Sequence, residues 1–285
     1  MYLITGATGT VGRPLIDALL ERGAPVRALT RDPSSADFPE RVEVVQGDPS
    51  RPESVREHLR GVTAVFMNSA AIGDATEEFA ALAAERGVRR LVALAAYNVE
   101  EAVALQPSRF IGHRNRECEA AAESSGLEWV SLRPHVYASM AFPLWGEQIR
   151  AGDVVSWPYP DFREPILDPR DVSEVAARAL LDHDLLGRKP VLTGPEVISN
   201  AEMVDAIGKA MGRPLRYHEI TPRQTVEAMA AMELPPALAA SFLARFVALE
   251  DEPPVVTDEI EGILGRPART YGEWAADHAG ALARP

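Results

Sequence analysis

The sequence predicts an α/β fold: a doubly wound, mostly parallel Rossmann-type sheet of about seven strands, followed by a small, mostly helical C-terminal cap. Three observations carry this expectation. Short apolar runs alternate with helical patterns through the first two-thirds of the chain, the signature of repeated βαβ units. A glycine-rich turn, Gly6-Ala7-Thr8-Gly9-Thr10-Val11-Gly12, follows the first apolar run directly. Beyond Gly194 the runs give way to helical periodicity.

Taken in order, strands are expected at Tyr2–Thr5, Val26–Thr30, Val42–Gln46, Ala64–Asn68, Leu91–Ala96 and Trp129–Arg133, with a seventh at Pro190–Thr193. Helices are expected between them, near Val11–Arg22, Pro52–Arg60, Ala75–Arg86 and Arg114–Ser125, and at Asp171–Asp182 after the sixth strand. Gly23, Gly61, Gly87 and Gly126 each stand just past a helix, where a left-handed turn favours glycine. After Gly194 the pattern predicts helices at Asn200–Met211, Pro222–Met232, Pro236–Ala248, Asp258–Leu264 and Tyr271–Ala281, with no strands between them. Pro235–Pro236 and Asp251–Pro254 are expected as interhelical connections. The domains expected are a dinucleotide-binding domain over 1–194, whose loop 135–170 contributes to a substrate pocket, and a helical substrate-binding cap over 195–285.

Composition narrows the function. The 285 residues with 46% hydrophobic content suffice for a sizeable core. A net charge of −13 argues against nucleic acid or an anionic membrane as partner. No apolar stretch approaches the ~20 residues that span a bilayer, and Met1 already belongs to an apolar run, so no leader is expected. The single cysteine, Cys118, allows no internal disulfide and suits a reducing cytoplasm. No Cys/His spacing of the zinc type is present, so no metal is expected.

The glycine turn carries the chemistry. Gly6 permits a tight turn, Gly9 lets the backbone approach a pyrophosphate, and Gly12 lets the following helix pack close to the strand. The helix N-terminus then offers N–H groups and a positive dipole end to phosphate. The spacing is G-x-x-G-x-x-G, yet its context of strand, turn and helix points to dinucleotide binding. At the end of the second strand, where an acid usually holds the ribose of NAD, stands Thr30-Arg31. An arginine fork suits a 2′-phosphate, which points to NADP(H); a solvated surface arginine is the alternative. Asp32 precedes Pro33 and reads as a turn starter. Asp48, closing the third strand, could meet the adenine amino group or cap the turn before Pro49. Asn68 ends the fourth strand beside the expected nicotinamide ribose.

With these residues the chain resembles NmrA-like members of the atypical short-chain dehydrogenase/reductase superfamily. The resemblance rests on Ile4 through Gly12, Val26-Arg27-Ala28-Leu29-Thr30-Arg31-Asp32-Pro33 and Gly47-Asp48. It continues through Ser125-Gly126-Leu127, Leu132-Arg133-Pro134 and Asp168-Pro169-Arg170-Asp171-Val172. Later matches are Thr193-Gly194-Pro195, Gly212-Arg213-Pro214 and Gly265-Arg266-Pro267 through Trp274. The resemblance implies cofactor contacts at Gly6, Thr8, Gly9, Thr10, Val11, Gly12, Arg31, Asp48 and Asn68, with Ala95 at the end of the fifth strand. It also implies a choice among quinone and enone reductases, regulators that bind dinucleotide without turnover, and enzymes of natural-product pathways.

The superfamily's catalytic Ser and Tyr-x-x-x-Lys are absent. Ala95 or Ala96 stands for the serine, Ile111 for the tyrosine and Asn115 for the lysine. The only lysines are Lys189 and Lys209. Candidate proton donors are Tyr97, His113, His135 and Tyr137, all expected at carboxyl ends of strands, where open α/β sheets bind ligands. Each could instead be a packing or surface residue, and His113 could pair with Glu117. A histidine donor would titrate near neutrality, at ~6.5. Phe142, Trp145, Trp157, Tyr159 and Phe162 could line an apolar pocket or pack the cap. Three functions stay open: reduction of a small apolar or aromatic carbonyl, quinone or enone by NADPH; dinucleotide sensing with a protein partner; and a cyclisation or coupling that uses the fold alone. A homodimer is compatible with each.

Overall fold

The computed structural model describes residues 1–250 and 252–283, so Asp251 of the expected Asp251–Pro254 connection lies outside the described residues. Along the chain, β1 (Tyr2–Ile4), α1 (Gly12–Glu21), β2 (Val26–Thr30), β3 (Glu43–Gln46), β4 (Ala64–Asn68), α2 (Ser69–Ile72), α3 (Thr76–Glu85), β5 (Arg90–Leu94), α4 (Asn115–Ser124) and β6 (Glu128–Pro134) come first. They are followed by α5 (Ala141–Ala151), β7 (Val154–Trp157), β8 (Arg163–Glu164), α6 (Pro169–Leu181), β9 (Val191–Leu192), β10 (Ile198–Ser199), α7 (Asn200–Ala210) and β11 (Arg216–Glu219). The chain closes with α8 (Pro222–Ala231), α9 (Pro236–Ala248), α10 (Glu259–Leu264) and α11 (Tyr271–Ala283). No helix among the described residues is long and apolar enough to cross a membrane.

The chain forms two compact units. The first comprises Met1–Glu100, Gly112–Pro134 and Pro169–Leu192. It holds a seven-stranded sheet in the order β3-β2-β1-β4-β5-β6-β9, every pairing parallel, with Tyr2 level with Val26 on one side and Ala64 on the other. The strand order reverses between β1 and β4, the switch point at which doubly wound sheets open a crevice. Side chains alternate across the sheet. Leu3, Val65, Met67, Leu91 and Ala93 pack with Phe79, Ala83, Cys118 and Ala122 of α3 and α4. Ile4, Phe66 and Val92 are buried from the opposite face, the one α1 and α6 share as neighbours. Gly23, Gly61, Gly87 and Gly126 have φ of +69°, +73°, +82° and +74°, as expected of residues that end helices. The segment expected as a helix at Pro52–Arg60 is a 3-10 helix over Pro52–Leu59. Only Pro52, Val55 and Leu59 of it are buried, the three- to four-residue spacing a tight turn also satisfies.

The second unit comprises Glu101–Ile111, His135–Asp168 and Thr193–Pro285. Two expectations are corrected here. The stretch read as loop 135–170 contains α5, β7 and β8, and the part after Gly194 contains strands β10 and β11. Pro143 in the first turn and Gly146 in the middle weaken the helical signal of α5, yet Trp145 and Ile149 bury one face of it. β11 reads Arg-Tyr-His-Glu, too polar for a strand signal. It forms by pairing in parallel with β7, from Arg216 opposite Val154 to Glu219 opposite Trp157. β8 and β10 pair antiparallel. The core of this unit is built from Trp145, Ile149, Val155, Trp157, Met203, Ile207, Tyr271 and Trp274.

Candidate active site

The glycine turn stands at the switch point of the first unit. Thr5 ties the two flanking strands together: its hydroxyl donates to the Phe66 carbonyl at 2.8 Å and accepts the Asn68 N–H at 2.8 Å. Gly6 has φ +63°, and a Cβ on it would lie 2.6 Å from Asn68 Nδ2. The Gly9 N–H donates to the Gly6 carbonyl at 3.0 Å, closing the turn. A Cβ on Gly12 would sit 2.1 Å from the same carbonyl oxygen. Ala7 and Val11 point into the core, whereas Thr8, Gly9 and Thr10 are exposed. Val11 precedes α1, and its carbonyl accepts the buried Ser173 hydroxyl of α6 at 2.9 Å. The result is an exposed turn at a helix N-terminus, in which the Arg13 N–H already donates to the Gly9 carbonyl at 3.1 Å and the Leu15 N–H to the Val11 carbonyl at 3.0 Å. The positive end of the helix dipole there suits the charge of a pyrophosphate.

The loops after β2 and β3 carry the residues expected at the adenosine end. Asp32 is committed to its own turn, accepting the Ser34 N–H at 3.0 Å and the Ser34 hydroxyl at 2.6 Å. The neighbouring Arg31 side chain is exposed at the end of β2, and its carbonyl accepts the Gln46 side chain at 3.2 Å. Asp48 also serves a turn. Its carboxylate accepts the Ser50 hydroxyl at 2.7 Å, the Ser50 N–H at 3.1 Å and Arg51 Nε at 3.2 Å. The Ser50 hydrogen bonds, then Arg51, hold its pKa below the usual carboxylate value. Asn68 Oδ1 caps α2 through the Ala70 N–H at 3.0 Å. Ala95 donates its N–H to the Leu132 carbonyl at 2.9 Å and has no polar side chain to offer. All ten residues expected at the cofactor belong to the first unit.

The second unit carries an apolar cavity of about 50 Å³. Its walls include Tyr137, Leu144, Trp145, Trp157, Phe242 and Tyr271. Of the aromatic residues expected at a pocket, Trp145 and Trp157 line it. Tyr159 and Phe162 instead pack on Phe246, at 5.1 Å and 4.6 Å between ring centroids, and Phe142 meets Trp274 edge-on. Two charged side chains join the cavity wall, Glu164 from β8 and Arg245 from α9. They form a two-pronged buried pair, Nη1 to Oε2 at 3.2 Å and Nη2 to Oε1. His135 Nδ1 lies 3.8 Å from the same carboxylate.

The four candidate proton donors fall on the two units. Tyr97 and His113 belong to the first, His135 and Tyr137 to the second. Tyr97 follows β5, with its N–H on the Pro134 carbonyl at 3.1 Å. Burial lowers the pKa of His113. His135 is pushed down to about 3, by burial first and by the Arg245 charge second. Glu164 does not reverse this, because its carboxylate is already engaged by Arg245. His135 therefore does not meet the expectation of titrating near neutrality, and His113 is shifted in the same direction: desolvation disfavours the charged ring. Burial raises the Tyr137 phenol, which stays protonated.

The lysines are accounted for elsewhere. Lys189 pairs with Glu123 at 2.8 Å and Glu119 at 3.3 Å, and Lys209 with Asp205 within its own helix at 2.6 Å. Asn115, at the lysine position, accepts the buried Ser69 hydroxyl. The sequence reading missed Glu164, Arg245 and Tyr271. One signal was available: Arg245 sits alone in the apolar run Phe242-Leu243-Ala244-Arg245-Phe246-Val247, where a charge on the buried face of a helix needs a partner.

These features define a Rossmann-type dinucleotide-binding protein. Residues 6–148 match the NAD(P)H-binding family, and the chain belongs to that family, as its resemblance to NmrA-like proteins implied. It is 38% identical, over 99% of both chains, to the (4-alkanoyl-5-oxo-2,5-dihydrofuran-3-yl)methyl phosphate reductase of Streptomyces griseus. It is 30% identical, over 99% of both chains, to the NAD(P)H azoreductase of Xenophilus azovorans. Among solved structures it shares the fold of the NADPH-dependent quinone oxidoreductase of Escherichia coli complexed with NADPH. The TM-score is 0.79 at 20% identity, covering 97% of this chain and 99% of that one.

Proposed function

We propose that this chain is an NADPH-dependent reductase of a small apolar carbonyl compound, quinone or enone. The observation that carries the reading is the exposed glycine turn at the switch point, in a chain 38% identical end to end to a reductase. Gly6, Thr8, Gly9, Thr10, Val11 and Gly12 would hold the pyrophosphate, Arg31 the 2′-phosphate, and Asp48, Asn68 and Ala95 the adenosine and nicotinamide ends. Bound NADPH supplies hydride to a polarised acceptor. The chain's own residues bind and polarise that acceptor. Tyr137 and His135 do so as neutral hydrogen-bonding groups, with Tyr97 and His113 the candidates on the first unit. The balancing proton comes from water, because His135 is uncharged, the Tyr137 phenol is a weakened acid, and both lysines are paired elsewhere.

Among the named relatives, the reductase at 38% identity acts on an oxo-dihydrofuran that bears an alkanoyl arm and a methyl phosphate, which supports a natural-product role. A single buried cysteine is consistent with the cytoplasm. The test is loss of NADPH absorbance against a panel of quinones, enones and azo compounds. Turnover of at least one quinone or enone is expected. Tight NADPH binding without oxidation by any acceptor would replace this reading with a sensor or a non-redox enzyme.

A further inference from the structure

The loop between β2 and β3, residues 31–42, carries Arg31 at its start. Its near end is fixed at the sheet. Gln46 of β3 donates its side-chain amide to the Arg31 carbonyl at 3.2 Å, and Thr30 Oγ1 accepts the Asp32 N–H at 3.2 Å. Further on, the loop bonds to itself. The Ser34 N–H donates to Asp32, the Ala36 N–H to the Pro33 carbonyl at 3.2 Å and the Phe38 N–H to the Ala36 carbonyl at 3.2 Å. Such bonds give the loop a shape and do not fasten it to the rest of the first unit.

Arg13 supplies a fastening. From the first turn of α1 its Nη1 donates to the Asp37 carbonyl, and its guanidinium lies over the Phe38 ring, 4.7 Å from the centroid. A guanidinium donates along its edge and stacks through its face, so one side chain makes both contacts. Asp17, one turn along α1, stands 3.8 Å from Arg13 Nε. The position is otherwise unfavourable for a cation, because the first turn is the positive end of the helix dipole and this one holds no acidic residue. The Arg13 N–H also donates to the Gly9 carbonyl at 3.1 Å. One residue thus joins the glycine turn, through its backbone, to the loop of Arg31, through its side chain.

We propose that Arg13 is a positioning residue for cofactor choice: by holding Asp37 and Phe38 against α1 it sets the path of the loop that carries Arg31, and so the strength of the preference for NADPH over NADH. This rests on the reading of Arg31 as the 2′-phosphate contact. Arg13 acts through Arg31, because its own fork is engaged by the loop.

The test is calorimetric titration of the full chain with NADPH and with NADH, in Arg13→Met, in Arg31→Ala and in the double variant. Arg13→Met keeps a long unbranched stem beside Phe38 and removes the fork. It should lower the ratio of NADPH to NADH affinity at least about threefold, the low end of coupling between groups in one network. In the Arg31→Ala background the same substitution should leave the ratio unchanged, since the residue it acts through is gone. Hydrogen exchange without cofactor should be faster over residues 32–41 in Arg13→Met, with β1 and β4 unaffected. An unchanged ratio, an equal loss for both cofactors, a further fall of the ratio in the double variant, or unchanged exchange of the loop each overturns the proposal while Arg31 keeps its role. Equal affinity of the unaltered chain for the two cofactors overturns the reading of Arg31 and the proposal with it, so the two failures are told apart.

Discussion

The carbonyl oxygen of Gly6 occupies the space a side chain at Gly12 would need: a Cβ built there falls 2.1 Å from it. Turn and helix are therefore in backbone contact, which brings the N-terminus of α1 up to the turn. Gly9 is less crowded, at 3.2 Å from the same oxygen. Two glycines of one motif should thus fail differently. Gly12→Ala should displace the turn and lower stability by roughly 1–3 kcal/mol, together with NADPH affinity. Gly9→Val should keep the fold and lose the cofactor, because its side chain would enter the exposed turn. Thermal unfolding with calorimetric titration separates the two; unchanged NADPH affinity in Gly9→Val would refute the placement.

Arg31 is exposed at the end of β2 while Asp32 is tied to Ser34. NADPH should therefore bind at least about tenfold tighter than NADH, the scale of one charge-assisted phosphate contact. Arg31→Ala should remove most of that difference and leave NADH affinity nearly constant. Equal affinities in the unaltered chain would rule the arginine out.

His135 makes a prediction in pH. Its pKa of about 3 in the folded chain lies below the unfolded value of ~6.5. The unfolded state therefore binds more protons below pH 6.5, and stability falls as pH drops from ~6.5 toward 3. The slope from this residue is at most about 1.4 kcal/mol per pH unit. His113 adds in the same sense. Denaturant unfolding between pH 6.5 and 5, where carboxylates contribute little, should show a shallower slope for His135→Gln than for the unaltered chain. The same shift predicts no neutral limb from His135 in a pH–rate profile. A limb near pH 6.5 that His135→Gln removes would restore it as a titrating donor.

The Glu164–Arg245 pair is buried, with side chains 11% and 3% exposed. Arg245→Leu should leave a buried, unpaired carboxylate and cost about 3–5 kcal/mol. Glu164→Gln with Arg245→Leu should recover part of that loss, since the stranded charge is gone. A double-mutant cycle by urea unfolding measures both; a loss below ~1 kcal/mol in Arg245→Leu would mean that water reaches the pair.

The dinucleotide-binding turn was legible in the sequence because its determinants are local. Gly6, Gly9 and Gly12 lie within one turn, Arg31 closes an adjacent strand, and the periodicities of 2 and 3.6 place both on the sheet. Absence of the Tyr-Lys pair was equally legible, from two lysines in the whole chain. Only the tertiary structure decided the rest. Glu164 and Arg245 stand 81 residues apart, and although the apolar run around Arg245 signals a need for a partner, nothing in the sequence names Glu164 as that partner. β11 has little strand character alone and acquires it by pairing with β7. The neutral state of His135 was likewise invisible, because a pKa is a property of surroundings: desolvation and the Arg245 charge, neither adjacent in sequence, set it.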